Sequence, residues 1–273
     1  TRTLTHRGPD QQDTYASPRI SLGAVRLKII DLAAGDQPMF SEDRDTVLAF
    51  NGEIYNHAEL RGELTASGHN FRSQCDTEVV LRAFLEWGRE CLSRLRGMFA
   101  LAIWKESEGR LLLARDRMGI KPLYFLRRGD ELHFASELKA IFAHPEVERR
   151  IDPVGLHHYL SLNYVPGPYT LVDGIEKLPA GRWLEWRDGA VNMDAWWRLR
   201  LEPRPIALAD ATRALDHLLA ESVREHLIAD VPLGVWASGG LDSSTILHYA
   251  AAHQSGPLKT FSVSFAGRSF DES

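Results

Sequence analysis

The sequence of 273 residues is poor in cysteine, with Cys75 and Cys91 as its two thiols. Two cysteines provide neither a disulfide framework nor a thiolate zinc site, and they fit a reducing compartment. No apolar run approaches the roughly 18 residues of a membrane span, and Thr1 begins no recognisable signal peptide. The net charge is -5, and the 32 basic residues are scattered rather than clustered. We therefore predict a cytoplasmic protein that binds neither membrane nor nucleic acid.

Lysine is absent between Lys177 and Lys259, a region that contains the glycine-serine stretch 238–244 (SGGLDSS). This absence excludes the P-loop of kinases and GTPases, which needs a lysine after its second glycine. The nucleophile elbow of serine hydrolases needs a glycine where Trp236 stands. Two alternatives stay open: a phosphate-binding turn between a strand and a helix, or a turn that binds no ligand.

Polar residues are predicted at fixed places on two strands and a helix of the first half of the chain. Alternation of apolar residues predicts a strand over 21–30 that carries Arg26, and a second strand over 46–50. Residues 51–53 (NGE) follow directly, which predicts that they lie at the exit of that strand. Helical spacing begins at Asp76, whose simplest interpretation is an N-cap that binds no substrate.

The remaining elements indicate two domains of different class. Closely spaced strand candidates predict an antiparallel meander, over residues 98–104, 110–115, 123–126 and 132–135. After a proline-rich linker at 203–205, the order strand, helix, strand, with the last strand over 259–265, predicts a parallel unit. We predict an α+β domain over residues 1–195 and the beginning of an α/β domain over residues 206–273.

Several motifs together resemble one enzyme family. Residues 238–244 resemble the pyrophosphate loop of N-type ATP pyrophosphatases. Class II glutamine amidotransferases are similar to this chain at 4–10 (LTHRGPD), 26–27 (RL), 51–56 (NGEIYN), 76–78 (DTE) and 115–124 (RDRMGIKPLY). Both sets in this order resemble glutamine-hydrolysing asparagine synthetase. The resemblance implies an Ntn-hydrolase-like αββα sandwich of antiparallel sheets, followed by the parallel sheet of an ATP pyrophosphatase domain.

For the first domain, the resemblance implies a glutamine site. The side-chain amide of Asn51 and the backbone N–H of Gly52 would form the oxyanion hole. Arg26 would pair with the α-carboxylate of glutamine, and Glu53 and Asp76 with its α-ammonium. The family nucleophile is an N-terminal cysteine that uses its own α-amino group as base. It is expected some tens of residues before His6, so we expect this chain to be a piece of a longer one.

For the second domain, the resemblance implies ATP and Mg²⁺ as cofactors and a carboxylate as acceptor. Adenylation would release pyrophosphate, and ammonia would attack the acyl-adenylate. Aspartate is the expected acceptor, which would make the product asparagine, and a homodimer is a possible assembly. A different acceptor or a non-catalytic module with the same fold stays open. The implied ATP-binding residues are Trp236, Ser238, Gly239, Gly240, Leu241, Asp242, Ser243, Ser244 and Val263.

Three further features invite other interpretations. Thr1 lies too close to the motif at 4–10 to be an N-terminal nucleophile. Cys75 precedes Asp76, and a thiol beside a carboxylate has a raised pKa, so we predict a packing residue. His157 and His158 are neighbours on a predicted helix and point in different directions, so we predict no metal site there.

Overall fold

The computed structural model describes residues 1–254 and 256–264. The chain divides into two compact units, with the boundary between Leu199 and Arg200. The strands of the first unit are β1 (Gln11–Ala16), β2 (Ser21–Arg26), β3 (Met39–Phe40), β4 (Thr46–Ile54), β5 (Gly97–Lys105), β6 (Arg110–Arg115), β7 (Tyr124–Arg128), β8 (Glu131–Ala135), β9 (Ile175–Lys177), β10 (Arg182–Arg187) and β11 (Ala190–Ala195). Its α-helices are α1 (His57–Ala66), α2 (Asp76–Trp87), α3 (Cys91–Arg94), α4 (Leu138–Ile141) and α5 (Pro153–Leu162).

A six-stranded sheet forms the centre of the first unit, in the order β11-β10-β6-β5-β4-β3. Alternate side chains of a strand point to opposite sides of the sheet. In the central strands both sets of side chains are apolar, and each set packs into its own core. Leu101 and Ile103 of β5 pack with α1 and α2 on one face. Ala102 and Trp104 pack into a separate core on the other face. The continuous apolar run of β5 is therefore explained by burial on both sides.

Two smaller antiparallel sheets, β1-β2 and β8-β7-β9, cover the second face of the large sheet. Leu22 of β2 and Phe125 of β7 belong to the same core as Trp104. Beyond the three-stranded sheet, Ile141 of α4 packs against Ile175 of β9. The order of layers is helix, sheet, sheet, helix. This confirms the predicted α+β class and the αββα sandwich.

The predicted meander is wrong in one respect. β5 pairs with β6 and β7 pairs with β8, but β6 and β7 lie in different sheets. The connection between them is not a hairpin but leads from one sheet to the other. It is fixed by the guanidinium of Arg115, which donates hydrogen bonds to the carbonyl oxygens of Gly119, Lys121 and Leu178. Short spacing along the chain predicts that strands are neighbours, but it does not say which layer they join.

The second unit contains α6 (Leu208–His226), β12 (Gly234–Trp236), α7 (Leu241–His253) and β13 (Lys259–Phe261). β12 and β13 pair in parallel with α7 between them along the chain, which confirms the start of a parallel α/β sheet. The predicted strand over 259–265 ends at Phe261, and Phe265 lies outside the described residues. Across residues 1–254 and 256–264, the structure contains no helix with the length and apolar character needed to cross a lipid bilayer.

Candidate functional site

A cavity of about 730 Å³ opens in the first unit beside the ends of β2 and β4. Its walls combine residues of the two neighbouring layers with the connection between β6 and β7. All of the residues predicted for the glutamine site line this cavity, namely Arg26, Asn51, Gly52, Glu53 and Asp76. Residues that are as far as 50 positions apart along the chain are therefore brought to one place.

The position of residues 51–53 differs from the prediction. They were expected at the exit of a strand, but β4 continues to Ile54, and Gly52 pairs with Phe99 of β5. The strand is longer because β5 runs beside it over its whole length. A Cβ atom on Gly52 would lie 2.3 Å from the carbonyl oxygen of Met98, so only glycine fits here. The side-chain nitrogen of Asn51 lies 3.5 Å from the hydroxyl of Ser136, at the end of β8.

Asp76 is not the N-cap of α2, so that interpretation is wrong. Cys75 occupies the N-cap position, and its sulfur accepts a hydrogen bond from the backbone N–H of Glu78 at 3.4 Å. A carboxylate oxygen of Asp76 instead accepts from the backbone N–H of Ile54 at 2.9 Å. This bond ties the first residue of α2 to the end of β4. Asp76 is thereby held beside Glu53 in the cavity wall.

Arg26 is buried at the end of β2, with 8% of its surface exposed. Its guanidinium donates hydrogen bonds to the carbonyl oxygens of Ile30, Asp31 and Ala34 at 2.8, 3.1 and 2.6 Å. These contacts use three of the five N–H donors of an arginine. The side chain therefore organises the loop after β2 and, at the same time, places a positive charge in the cavity wall.

The carboxylates of the cavity repel each other. Burial and the neighbouring Asp76 raise the pKa of Glu53 to about 7, whereas Lys121 acts in the opposite direction. Burial also raises the pKa of Asp76, against the hydrogen bond from Ile54. Two acidic groups in a half-enclosed site disfavour each other's charged form, and a cation bound between them relieves the repulsion. The chemistry of this wall suits an ammonium group.

Polar residues for which no role was predicted also line the cavity, among them His6, Arg7 and Lys121. His6 and Arg7 are held by Glu137, with nitrogen-to-oxygen distances of 2.9 and 3.0 Å. Although burial opposes it, hydrogen bonds from Arg7, Lys139 and His6 lower the pKa of Glu137 to about 2. The signal for them was present, because His6, Arg7 and Lys121 belong to the motifs 4–10 and 115–124. Their partner Glu137 lies outside every motif.

Both cysteines of the chain are free and buried. Burial is the main cause that raises the pKa of Cys75, and the nearby carboxylates of Asp76 and Glu78 act in the same direction. Burial raises the pKa of Cys91 to about 12. A buried thiol with a raised pKa is a poor nucleophile, which agrees with the prediction that Cys75 is a packing residue.

The glycine-serine stretch of the second unit forms the predicted turn between β12 and α7. Gly239 has a φ angle of +80°, which favours glycine, and Gly240 is the N-cap residue of α7. The hydroxyl of Ser243 accepts from the backbone N–H of Ser238 at 3.2 Å and lies 3.1 Å from the hydroxyl of Ser238. The two hydroxyls therefore converge where the first turn of α7 presents free N–H groups. The other predicted residues of the turn are Leu241, Asp242 and Ser244, and all three are exposed.

Trp236 and Val263 lie beside this turn. Trp236 ends β12, and its parallel partner Phe261 ends β13 two residues before Val263. The rings of Trp236 and Phe261 are 5.8 Å apart, and the side chains of Trp236 and Val263 are more than half exposed. The residues predicted to bind ATP thus gather at the carboxyl ends of two parallel strands, where ligands of α/β sheets commonly bind.

Comparison with known proteins agrees with both units. Residues 1–197 match the family described as a glutamine amidotransferase domain. The chain belongs to the glutamine amidotransferase family. Residues 214–273 match the asparagine synthase family. The resemblance inferred from the motifs is thus confirmed for the first unit and for the start of the second.

Several proteins similar to this chain are named asparagine synthetases. Glutamine-hydrolyzing asparagine synthetase 3 of Bacillus subtilis (strain 168) is 36% identical over 273 residues, which cover 97% of this chain and 44% of the relative. Synthetase 1 of the same organism is 39% identical over 272 residues, covering 98% and 42%. Asparagine synthetase B of Escherichia coli (strain K12) is 36% identical over 249 residues, covering 90% and 39%. The chain spans less than half the length of these relatives.

Proposed function

We propose that the first unit hydrolyses glutamine to glutamate and ammonia, within a domain that we assign to residues 1–195. One observation supports this most strongly: a single cavity is lined by the carboxylates of Glu53 and Asp76, the cation Arg26, and the amide of Asn51 beside Gly52. Free glutamine carries an α-ammonium, an α-carboxylate and a side-chain amide. The cavity has a complementary group for each of them.

The mechanism assigns one task to each residue. Glu53 and Asp76 accept hydrogen bonds from the α-ammonium, and Arg26 pairs with the α-carboxylate. Attack of a thiolate on the amide carbon gives an oxyanion, to which the side chain of Asn51 and the N–H of Gly52 donate. The α-amino group of the nucleophilic cysteine acts as the base, and it returns a proton to the ammonia that leaves. The glutamyl group is then bound to the thiol as a thioester, which water hydrolyses to release glutamate.

The thiolate must come from a residue other than the buried cysteines at 75 and 91. The resemblance to the family supports a cysteine on a strand ahead of His6. Within the described part of the chain, β2 and β8 each pair with a strand on one side, and both border the cavity. We infer that the strand with the nucleophile enters between them, in the same layer.

Residues 1–273 expressed alone are expected to release no glutamate from glutamine, because neither internal cysteine can replace the nucleophile. Glutamate is measured with a coupled dehydrogenase assay after a long incubation. The full-length protein, assayed beside it, is the positive control. Glutamate release by residues 1–273 above that of heat-treated protein would contradict the assignment.

The second unit is proposed to belong to a domain that starts at residue 206 and activates a carboxylate with ATP. The residues 238–244 with Trp236 and Val263 would hold the nucleotide, with the β- and γ-phosphates at Ser238, Ser243 and the start of α7. Asp242 adds a carboxylate in the same turn, which fits the oxygen ligands that Mg²⁺ prefers. When bound, Mg²⁺ would spread the charge of the leaving pyrophosphate.

Aspartate is the proposed acceptor. Its side-chain carboxylate attacks the α-phosphorus of ATP, which gives β-aspartyl-AMP and pyrophosphate, and ammonia then displaces AMP to give asparagine. The names of the relatives support this choice. We also propose a homodimer in the cytoplasm, which light scattering and cell fractionation would test.

Incubation of the full-length protein with ATP, Mg²⁺, glutamine and aspartate tests the assignment. Asparagine, AMP and pyrophosphate are expected in equal amounts. If pyrophosphate forms with another carboxylate but not with aspartate, the proposed activation by ATP stands and the acceptor is a different one. No pyrophosphate with any carboxylate would point to a non-catalytic module.

A further inference from the structure

Lys121 is a cation in the cavity wall, and the proposed contacts with glutamine do not include it. It lies on the connection between β6 and β7 and is partly buried. It lines the same cavity as Glu53 and Asp76. Since a partly buried lysine loses hydration, its position needs a compensating interaction.

The backbone of Lys121 is fixed from both sides. Its N–H donates to a carboxylate oxygen of Asp116 at 2.9 Å, and its carbonyl oxygen accepts from the guanidinium of Arg115 at 2.7 Å. Asp116 is 1% exposed. Arg115 is anchored in turn by the carbonyl oxygens of Gly119 and Leu178 at 2.6 and 2.7 Å. The side chain of Lys121 therefore starts from a rigid point in the cavity wall.

The charged groups that act on Glu53 lie on α2 and on the connection between β6 and β7. Asp76 of α2 faces Glu53 as a like charge and Lys121 as an opposite charge. Arg26 of β2 and His57 of α1 act on Asp76 rather than on Glu53. Arg7 and Asp116 act on Lys121. The positive charge of Lys121 lowers the pKa of Glu53, in opposition to burial and to Asp76.

We propose that Lys121 is a positioning residue that opposes protonation of Glu53, and so favours the carboxylate form that binds the α-ammonium of glutamine. The inference rests on the proposed function of the cavity. A protonated Glu53 would present a neutral group, and could no longer supply the charge that an ammonium needs. Burial and Asp76 both favour that protonated form, and Lys121 opposes them.

The test compares wild type, Lys121→Met and Lys121→Arg in the full-length protein, with the KM for glutamine measured from pH 5.5 to 9. Loss of the cation raises the pKa of Glu53. When the pH is lowered, KM is therefore expected to begin to rise at a higher pH in K121M than in wild type. Because one pKa unit is a tenfold change in protonation, KM at pH 7 is expected to increase by about 3- to 10-fold. At pH 9, where Glu53 is ionised in either protein, KM and kcat are expected to match wild type, and K121R to follow it throughout.

The matched control is Lys105→Met, since Lys105 is also partly buried but lies at the end of β5 in an ion pair with Glu108. It is expected to leave the pH profile unchanged. A K121M enzyme that loses activity by the same factor at every pH would show a merely structural role and overturn the proposal. So would an unshifted profile.

A second measurement does not depend on turnover. The ¹³C carboxyl resonance of Glu53, assigned with the variant E53Q, is followed against pH in wild type, K121M and K121Q. An upward shift of its midpoint in both lysine variants supports the proposal, and an unchanged midpoint refutes it. If wild type hydrolyses no glutamine while the midpoint still shifts, the proposed function fails and the coupling between Lys121 and Glu53 stands.

Discussion

Replacing Asp116 by alanine is expected to lower the free energy of unfolding of the first unit by about 3–5 kcal/mol. Asp116 is buried after β6, and its carboxylate accepts hydrogen bonds from backbone N–H groups at distances between 2.9 and 3.1 Å. Alanine leaves these donors without a partner. An unsatisfied donor costs about 1–3 kcal/mol where it is buried, as at Phe99, whereas water recovers part of the cost at the exposed residues Met118 and Ile120. The donors belong to Phe99, Met118, Ile120 and Lys121.

Asp116→Asn is expected to have an intermediate effect, because the amide keeps one acceptor oxygen and turns an NH₂ group toward two of the donors. Asp194→Ala is the matched control, since Asp194 lies on the edge strand β11 with 62% of its side chain exposed. That change is expected to stay within about 0.5 kcal/mol of wild type. Urea unfolding is followed by tryptophan fluorescence, for which Trp104 and Trp183 are buried probes. A D116A protein as stable as D194A would show that the carboxylate is dispensable.

The importance of Asp116 could not be predicted from the sequence. It stands in the motif 115–124, but its partners are backbone groups of its own loop and of β5. Such groups carry no side-chain signal. The same loop carries the chain from the large sheet to the small one, which is why the strand spacing alone predicted a meander.

The turn at 238–244 was predicted with its neighbouring strand and helix. Its geometry depends on local chemistry: Gly239 adopts a positive φ, and helical spacing resumes after Gly240. Residues 51–53 behaved differently, because the length of β4 is decided by its pairing with β5 and not by its own residues. Asp76 is a similar case. The local pattern indicated an N-cap, but its carboxylate accepts a hydrogen bond from the backbone N–H of Ile54, which belongs to a distant segment of the chain.

The composition of the candidate site was predicted from family motifs and not from periodicity. Arg26, Glu53 and Asp76 are polar residues on elements that alternation and spacing identify only as strands or helices. The cavity that joins them arises from tertiary packing. Lys121 was missed because its contribution is electrostatic, and charge coupling across a cavity needs the relative positions of several elements.

Asn51→Ala is expected to lower the kcat of glutamine hydrolysis by about 100- to 1,000-fold in the full-length protein, with a smaller change in KM. Asn51 and Gly52 line the cavity as neighbouring residues of β4. A donor to the oxyanion stabilises charge that exists in the transition state and not in the bound substrate, so its loss acts on kcat. Kinetics of glutamate release at pH 8, with glutamine varied, measure both constants.

Asn192→Ala is the matched control for this prediction. Asn192 is exposed on β11, at the opposite edge of the large sheet from β3, and it faces Glu185 of β10 in the ladder. Its replacement removes the same amide from a strand without touching the cavity, so kcat and KM are expected to match wild type. Because the hydroxyl of Ser136 lies beside the amide of Asn51, Ser136→Ala is a further probe, and a loss of less than about tenfold is expected if Ser136 only orients the amide. A kcat for N51A within a factor of three of N192A would rule out Asn51 as the oxyanion donor, and Gly52 would then act without it.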